Sequence, residues 1–234
     1  MSISSSNGIL EDFVSLFYPR YCRGCFNSLV KGEDLLCTQC LLEMPKSYYH
    51  LQQDNPFYMK FRGRLPVRHV MTLYKFVKEG RVQQVLHALK YKQQPELGEM
   101  LGRVYGQDLL EAQFKSSFDL IVPVPLHISR RRIRGYNQSE EFGKGLSSIL
   151  EVPCDDTYMM RSSKTETQTH KTKLSRWENV SQIFHVVNAE AIAEKRVLLV
   201  DDVVTTGATL EACGRALVGA GCRELSIACI AATQ

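Results

Sequence analysis

Two adjacent carboxylates, Asp201 and Asp202, follow directly on the apolar run Val197–Val200 and precede Thr205-Thr206-Gly207-Ala208-Thr209. A short apolar run reads as a buried strand, and parallel strands of an open α/β sheet carry ligands at their carboxyl ends. A loop running from such an end into a helix presents unpaired backbone N–H groups and the positive end of the helix dipole, which suit a phosphate. The hydroxyls of Thr205, Thr206 and Thr209 can add donors, and Gly207 lets the backbone approach closely. The acids cannot favour a phosphate. They accept hydrogen bonds from hydroxyls, so a sugar diol is their natural partner. The pattern asks for a ribose 5-phosphate group, with Asp201 and Asp202 on the 2- and 3-hydroxyls and residues 205–209, Ala208 included, on the phosphate. An ordinary strand–turn–helix joint capped by Thr and Asp is the bland alternative. A GxxxxGK[ST] loop is lacking, which leaves nucleotide triphosphate binding of that kind unsupported.

Cys22, Cys25, Cys37 and Cys40 form two CxxC pairs separated by eleven residues. Two such hooks can close four thiolates tetrahedrally on Zn²⁺, and four protein ligands make a closed, structural site. Binding of this kind supplies about 10–16 kcal/mol in isolated zinc peptides, enough to fold a knob with little core of its own. A redox pair or disulfides are the alternatives. Cys154, Cys213, Cys222 and Cys229 sit in apolar or helical contexts and read as core residues.

Arg130, Arg131, Arg132 and Arg134 follow the apolar stretch 119–125. Their planar forks can bind phosphate oxygens, or another polyanion, at two points. Residues 161–179 hold five Arg or Lys against two Glu and show no apolar period, as a flap closing over a ligand would. Tyr136 and Trp177 lie among these charges and could stack on bases of single-stranded nucleic acid, or pack as ordinary surface residues. His127 and His170 have no partner at a recognisable spacing, and neither is assigned a catalytic role.

These residues need elements to hold them. VRHVMTLYKF (67–76) reads as strand and Val82, Val85, Leu86 and Leu89 as one helical face, with a further helix over 97–112. DLIVPVP (119–125) reads as a buried strand. Ser139 is placed to cap a helix with Glu140 and Glu141 in its first turn. Strands near 183–187 and 197–200, a helix from about 208 to 220 and a strand at LSIACIAA complete an alternation that argues for a mostly parallel sheet covered by helices. Ile9, Leu10, Phe13, Val14 and Phe17 show helical spacing, and residues 46–66 read as a connector.

The 234 residues, 44% hydrophobic and 23% charged, are those of a globular chain with a sizeable core. A net charge of +4 is too small to mark a nucleic-acid wrapper by composition. No run approaches a membrane span and the N-terminal residues lack a signal peptide's pattern, so a cytoplasmic location with reduced cysteines is expected.

VLLVDDVVTTGATL (197–210) resembles the phosphoribosyl pyrophosphate signature of type I phosphoribosyltransferases. VPVPLHISRRRIRGYNQS (122–139), with the CxxC pairs, resembles the ComF family of competence-associated proteins. Further matches are FYPRYCRGC (17–25), LKYKQQPELGEMLG (89–102) and the elements Thr165, Gln168, Leu174, Arg176, Asn179 and Phe184. The resemblance implies an α/β fold: a type I phosphoribosyltransferase-like parallel sheet flanked by helices over 61–234, and an N-terminal helix with a small four-cysteine, zinc-ribbon-like module over 1–60. It implies phosphoribosyl pyrophosphate as ligand, a loop carrying Arg130, Arg131, Arg132 and Arg134 that faces its pyrophosphate, Mg²⁺ travelling with it, and Asp201 and Asp202 as the residues on which transfer would depend. It also implies a role in natural transformation beside single-stranded DNA, a competence helicase and a recombination mediator. A catalytically retired scaffold and a nucleobase-salvage enzyme are the alternatives.

Overall fold

The computed structural model describes residues 17–162 and 183–233. Its centre is a four-stranded parallel sheet in the order β1-β6-β5-β2, formed by β1 (Val67–Phe76), β2 (Leu120–Pro123), β5 (Arg196–Val204) and β6 (Glu224–Thr233). A short antiparallel pair, β3 (Met159–Arg161) and β4 (Phe184–Val186), stands apart. The helices are α1 (Thr38–Glu43), α2 (Pro56–Phe61), α3 (Arg81–Tyr91), α4 (Pro95–Glu111), α5 (Ile128–Arg134), α6 (Gln138–Leu150), α7 (Ala189–Ile192) and α8 (Ala208–Gly219). Among the described residues no helix is long and apolar enough to cross a membrane.

The continuous apolar text of β5 follows from burial on both faces. Leu198 and Val200 enter one core with Ile121, Ala228 and Ile230, packed under α3, α4 and α6. Val197 and Leu199 enter the other with Val122, Leu225 and Ile227, packed under α2 and α8. At its start β5 is fastened to β2, where Asp119 takes the Arg196 backbone N–H at 2.8 Å and Nη2 at 2.6 Å. That contact holds the Asp119 carboxyl well below the usual carboxylate range.

Both sheet edges are covered. Ile121 exchanges hydrogen bonds with Pro153 and Asp155 beyond β2. Beyond β1, Ser47 N–H donates to the Leu73 carbonyl at 2.9 Å and Lys75 N–H to the Pro45 carbonyl at 2.8 Å. The segment leaving the cysteine pairs is thereby joined to the sheet, and Cys22, Leu36, Cys37, Cys40 and Met44 share the α3–α4–α6 core.

Three expectations change. The stretch 46–66 is not a bare connector: it holds a 3-10 turn at Tyr49–Leu51 and the helix α2. Asn55 caps that helix by accepting from the N–H groups of Phe57 and Tyr58, and Pro56 needs no partner at its first position. Asn137, not Ser139, caps α6, because its carboxamide accepts from Ser139 N–H while donating to the Val124 carbonyl. The arginines 130–134 lie on helix α5 rather than on a loop, started by His127 and stopped by Gly135 at φ 81°. The helical pattern of residues 9–14 and the segment 163–182, which holds most of the expected flap, lie outside the described residues.

Helices α4 and α6 meet backbone to backbone at Gly102, while Gly98 and Gly106 on the same face of α4 receive the side chains of Glu141 and Ile149. A Cβ on Gly102 would stand 2.2 Å from the Phe142 carbonyl oxygen and 2.7 Å from the Gly145 Cα. Alanine gains about 1 kcal/mol of helix propensity over glycine, but here it must separate two backbones, and overpacking costs about 1–3 kcal/mol or more. Gly102→Ala should therefore lower stability in chemical denaturation, whereas Gly219→Ala in α8, where nothing lies within 4 Å, should not.

Candidate functional site

Strand β5 carries Asp201 and Asp202 to the carboxyl end of the sheet, half-buried, before Thr205 and Thr206 turn the chain into α8. Gly207 makes that turn at φ 81°, a left-handed conformation that side chains resist. A Cβ there would also strike the ring of Phe61, on α2, at 2.7 Å. The backbone from Val203 to Leu210, with Asp201, encloses a hollow of about 50 Å³. Ala208 and Thr209 lie exposed in the first turn of α8, where the backbone N–H groups have no helical acceptor. Of the three hydroxyls, that of Thr206 is engaged as an acceptor for Ala208 N–H at 3.4 Å.

The two acids are held by residues that sequence reasoning did not place. Asp201 Oδ1 accepts from Ser139 Oγ at 2.9 Å and from Asp202 N–H at 2.8 Å. Asp202 Oδ2 pairs with Lys90 Nζ of α3 at 2.7 Å. Each carboxylate is thus fixed through one oxygen. Among the described residues no donor meets Asp201 Oδ2 or Asp202 Oδ1. Two adjacent acceptors are therefore left, the number a vicinal diol needs. Burial and the neighbouring charge of Asp202 push the Asp201 carboxyl up to about 7, against the lowering pull of Asp202 N–H, Ser139 and Lys90. Behind it Cys213 and Cys229 are buried, their thiols pushed well up by desolvation. Cys154 and Cys222 are half-buried.

The arginines divide. Arg131 is engaged by Asp156 at 3.0 Å and Glu140 at 3.5 Å. Arg134 donates to Gln138 Oε1 at 2.7 Å and covers the Tyr91 ring at 5.5 Å. Arg130 and Arg132 are exposed and make no ion pair among the described residues. Tyr136 is half-buried and its hydroxyl donates to the Leu89 carbonyl, so it packs rather than offering an open face. Trp177 and His170 fall outside the described residues. His127 serves as the cap of α5.

The four cysteines converge. Their sulfur atoms all lie within 4.8 Å of one another, and Cys25 and Cys37 Sγ are 3.7 Å apart. A zinc tetrahedron with bonds of about 2.3 Å sets sulfur–sulfur edges of about 3.8 Å, so the donor set fits the ion. N–H groups of Gly24 and Cys37 point at Cys22 Sγ at 3.4 and 3.3 Å. Burial raises that thiol, but these backbone bonds outweigh it and bring it down to about 7. Gly24 leaves the room required, since a Cβ would come within 2.9 Å of Cys40 Sγ. The cluster is compatible with a zinc ribbon.

The model of the phosphoribosyl transferase domain matches residues 137–234. The chain is similar to Competence protein F of Haemophilus influenzae, at 27% identity over 90% of this chain and 96% of that protein. It is also similar to the DNA utilization protein YhgH of Escherichia coli, at 27% identity over 87% of this chain and 86% of the relative. Among solved structures, glutamine phosphoribosylpyrophosphate amidotransferase from B. subtilis aligns with a TM-score of 0.45 at 17% identity, covering 61% of this chain and 30% of that one.

The Asp201 carboxyl titrates near 7 in the folded protein against about 3.9 in an unfolded chain. The native state holds that proton more tightly, so the contribution to stability is present below about pH 4 and is lost as pH rises through 7. Asp201→Asn, which mimics the protonated acid, should raise the Tm relative to wild type at pH 8 and leave little difference near pH 4. A variant less stable than wild type at pH 8 would contradict this account.

Proposed function

We propose, from the chain's similarity to Competence protein F and YhgH and its match to the phosphoribosyl transferase domain over residues 137–234, that it is a competence-associated, phosphoribosyltransferase-like protein of the ComF kind whose sheet edge binds phosphoribosyl pyrophosphate or a related ribose 5-phosphate and transfers the sugar to an acceptor. The observation that carries this reading is the pair of unengaged oxygens on Asp201 and Asp202 beside a hollow of about 50 Å³ ringed by Thr205–Leu210.

In this reading Asp201 Oδ2 and Asp202 Oδ1 accept from the ribose 2- and 3-hydroxyls, while the N–H groups at the start of α8 take the 5-phosphate. Held at both ends, the ring has its C1 fixed relative to the acceptor, which removes much of the entropic barrier. Arg130 and Arg132 of α5, without an ion pair among the described residues, would meet the charge that builds on pyrophosphate as the C1–O bond lengthens. Lys90 and Ser139 keep the two acids from drifting apart or turning onto each other. Mg²⁺ supplies charge neutralisation to such donors when bound. Among the described residues the one group of three or more His, Cys, Asp or Glu side chains close enough to hold a metal is the cysteine set; in this reading Mg²⁺ would be held mostly by the donor's own oxygens and water. Zinc at the cysteines is a structural ion in this reading. The protein acts in the cytoplasm in this reading, in the competence and DNA use for which its relatives are named.

Calorimetric titration of the zinc-loaded protein with phosphoribosyl pyrophosphate and Mg²⁺ tests the reading. Two hydrogen bonds to charged acceptors are worth about 1.5–3 kcal/mol each, so the Asp201→Asn/Asp202→Asn variant should bind at least about a hundredfold more weakly. A folded wild type that fails to bind would sink the transferase.

A second reading rests on α5, where Arg130 and Arg132, without an ion pair among the described residues, lie between the exposed side chains of Ile128 and Ile133. That mix of charge and apolar surface suits single-stranded DNA, with the enzyme scaffold serving as an adaptor for a competence helicase and a recombination mediator. Binding to an oligonucleotide should then fall steeply with salt, and Arg130→Ala/Arg132→Ala should flatten that slope by roughly one to two units. Nothing in the described site reads a base, which weighs against nucleobase salvage.

A further inference from the structure

The phosphate hollow has a charge problem. A phosphate monoester carries a charge of about −1.5 to −2 at neutral pH, and here it would enter beside two carboxylates. The N-terminus of α8 offers about half a positive charge in return. The obvious cations are already engaged. Arg64 and Arg215 both pair with Glu211, Arg215 Nη2 at 2.8 Å, and Lys90 pairs with Asp202 at 2.7 Å.

Lys60 is different. Its Nζ lies 3.2 Å from the carbonyl oxygen of Thr205, on the loop itself, and 4.3 Å from the centroid of the Phe57 ring. Among the described residues it meets no carboxylate. The next residue, Phe61, is fully buried and forms the floor against which Gly207 turns. Helix α2 therefore both supports the loop and sets an ammonium group on its rim. It does so from a part of the chain that precedes the matched span 137–234.

Building on the sugar-phosphate reading, we propose that Lys60 is a ligand of the 5-phosphate, supplying the cation that the loop's own residues lack. Its four-carbon stem lets the ammonium group leave the Thr205 carbonyl for a phosphate oxygen without movement of α2. The family's phosphate loop would thus be completed in this chain by a side chain brought from the segment between the cysteine cluster and the sheet.

Calorimetry with ribose 5-phosphate over a series of salt concentrations, on wild type, Lys60→Gln and Lys60→Arg, decides the matter. A hydrogen bond between charged groups predicts a loss of roughly ten- to a hundredfold in affinity for Lys60→Gln and a flatter salt dependence. Lys60→Arg should recover most of the affinity, and all three proteins should share one Tm. If wild type binds and Lys60→Gln binds within about twofold of it, the assignment to Lys60 is wrong while the site stands. If affinity falls with no change in salt dependence, Lys60 acts through the loop's shape and the assignment is equally wrong. A wild type that binds neither ribose 5-phosphate nor phosphoribosyl pyrophosphate removes the underlying site itself.

Discussion

Two carboxylates on consecutive residues at the end of a buried strand repel each other and lose water, and much of this structure answers that demand. Ser139 reaches Asp201 from the first turn of α6, and Lys90 reaches Asp202 from the last turn of α3. Those helices must approach the same sheet edge. The Gly102–Gly145 contact lets α4 and α6 close up without a side chain between them. The result is a pair of acids fixed on one side and open on the other. Asp201 retains part of the cost as a raised proton affinity. An arrangement of this kind gives up stability for acceptors left clear of the protein's own donors.

The domain match begins at residue 137, yet the site does not. Lys90, the floor at Phe61 and the edge pairing of residues 45–47 with β1 all come from earlier in the chain. The cysteine cluster shares the core of α3, α4 and α6 instead of hanging from it, with Cys40 and Tyr74 both buried in that core. What precedes the matched span is therefore part of the site's wall. A zinc ion there would act on the sheet through packing, at a distance from any chemistry.

Much of this was legible in the residues, for identifiable reasons. Strand β5 announces itself because both faces are buried, so its text is apolar without alternation until the acids. The cysteines are readable because metal ligands come at fixed spacing. The errors have equally physical origins. Asn137 and Ser139 are both good caps, and only the reach of Asn137 to the Val124 carbonyl decides between them, a contact that depends on the fold. Arginines 130–134 lack apolar periodicity because α5 buries none of its residues, so a helix there resembles a loop. Helix α2 is too short to show a period and hides behind Asn55-Pro56, which reads as a turn when its asparagine is in fact a cap. Lys90 could not be found at all, since nothing local links it to Asp202.

The strand order carries a consequence for the making of the protein. Strand β1 pairs along its length with β6 and, on its other side, with residues 45–47 behind the cysteines. On a ribosome the cysteines and β1 emerge early and β6 late. A bound zinc would let the cysteine knuckle fold as soon as Cys40 is exposed, but β1 beside it must wait, its hydrogen-bonding edge open, while the intervening strands and helices are synthesised. The nascent chain thus spends most of its synthesis with an apolar strand unpaired, the condition under which chains associate wrongly. Early closure of the knuckle against residues 45–47 would occupy one of the two edges of β1 during that interval, a protective task separate from any served in the finished molecule.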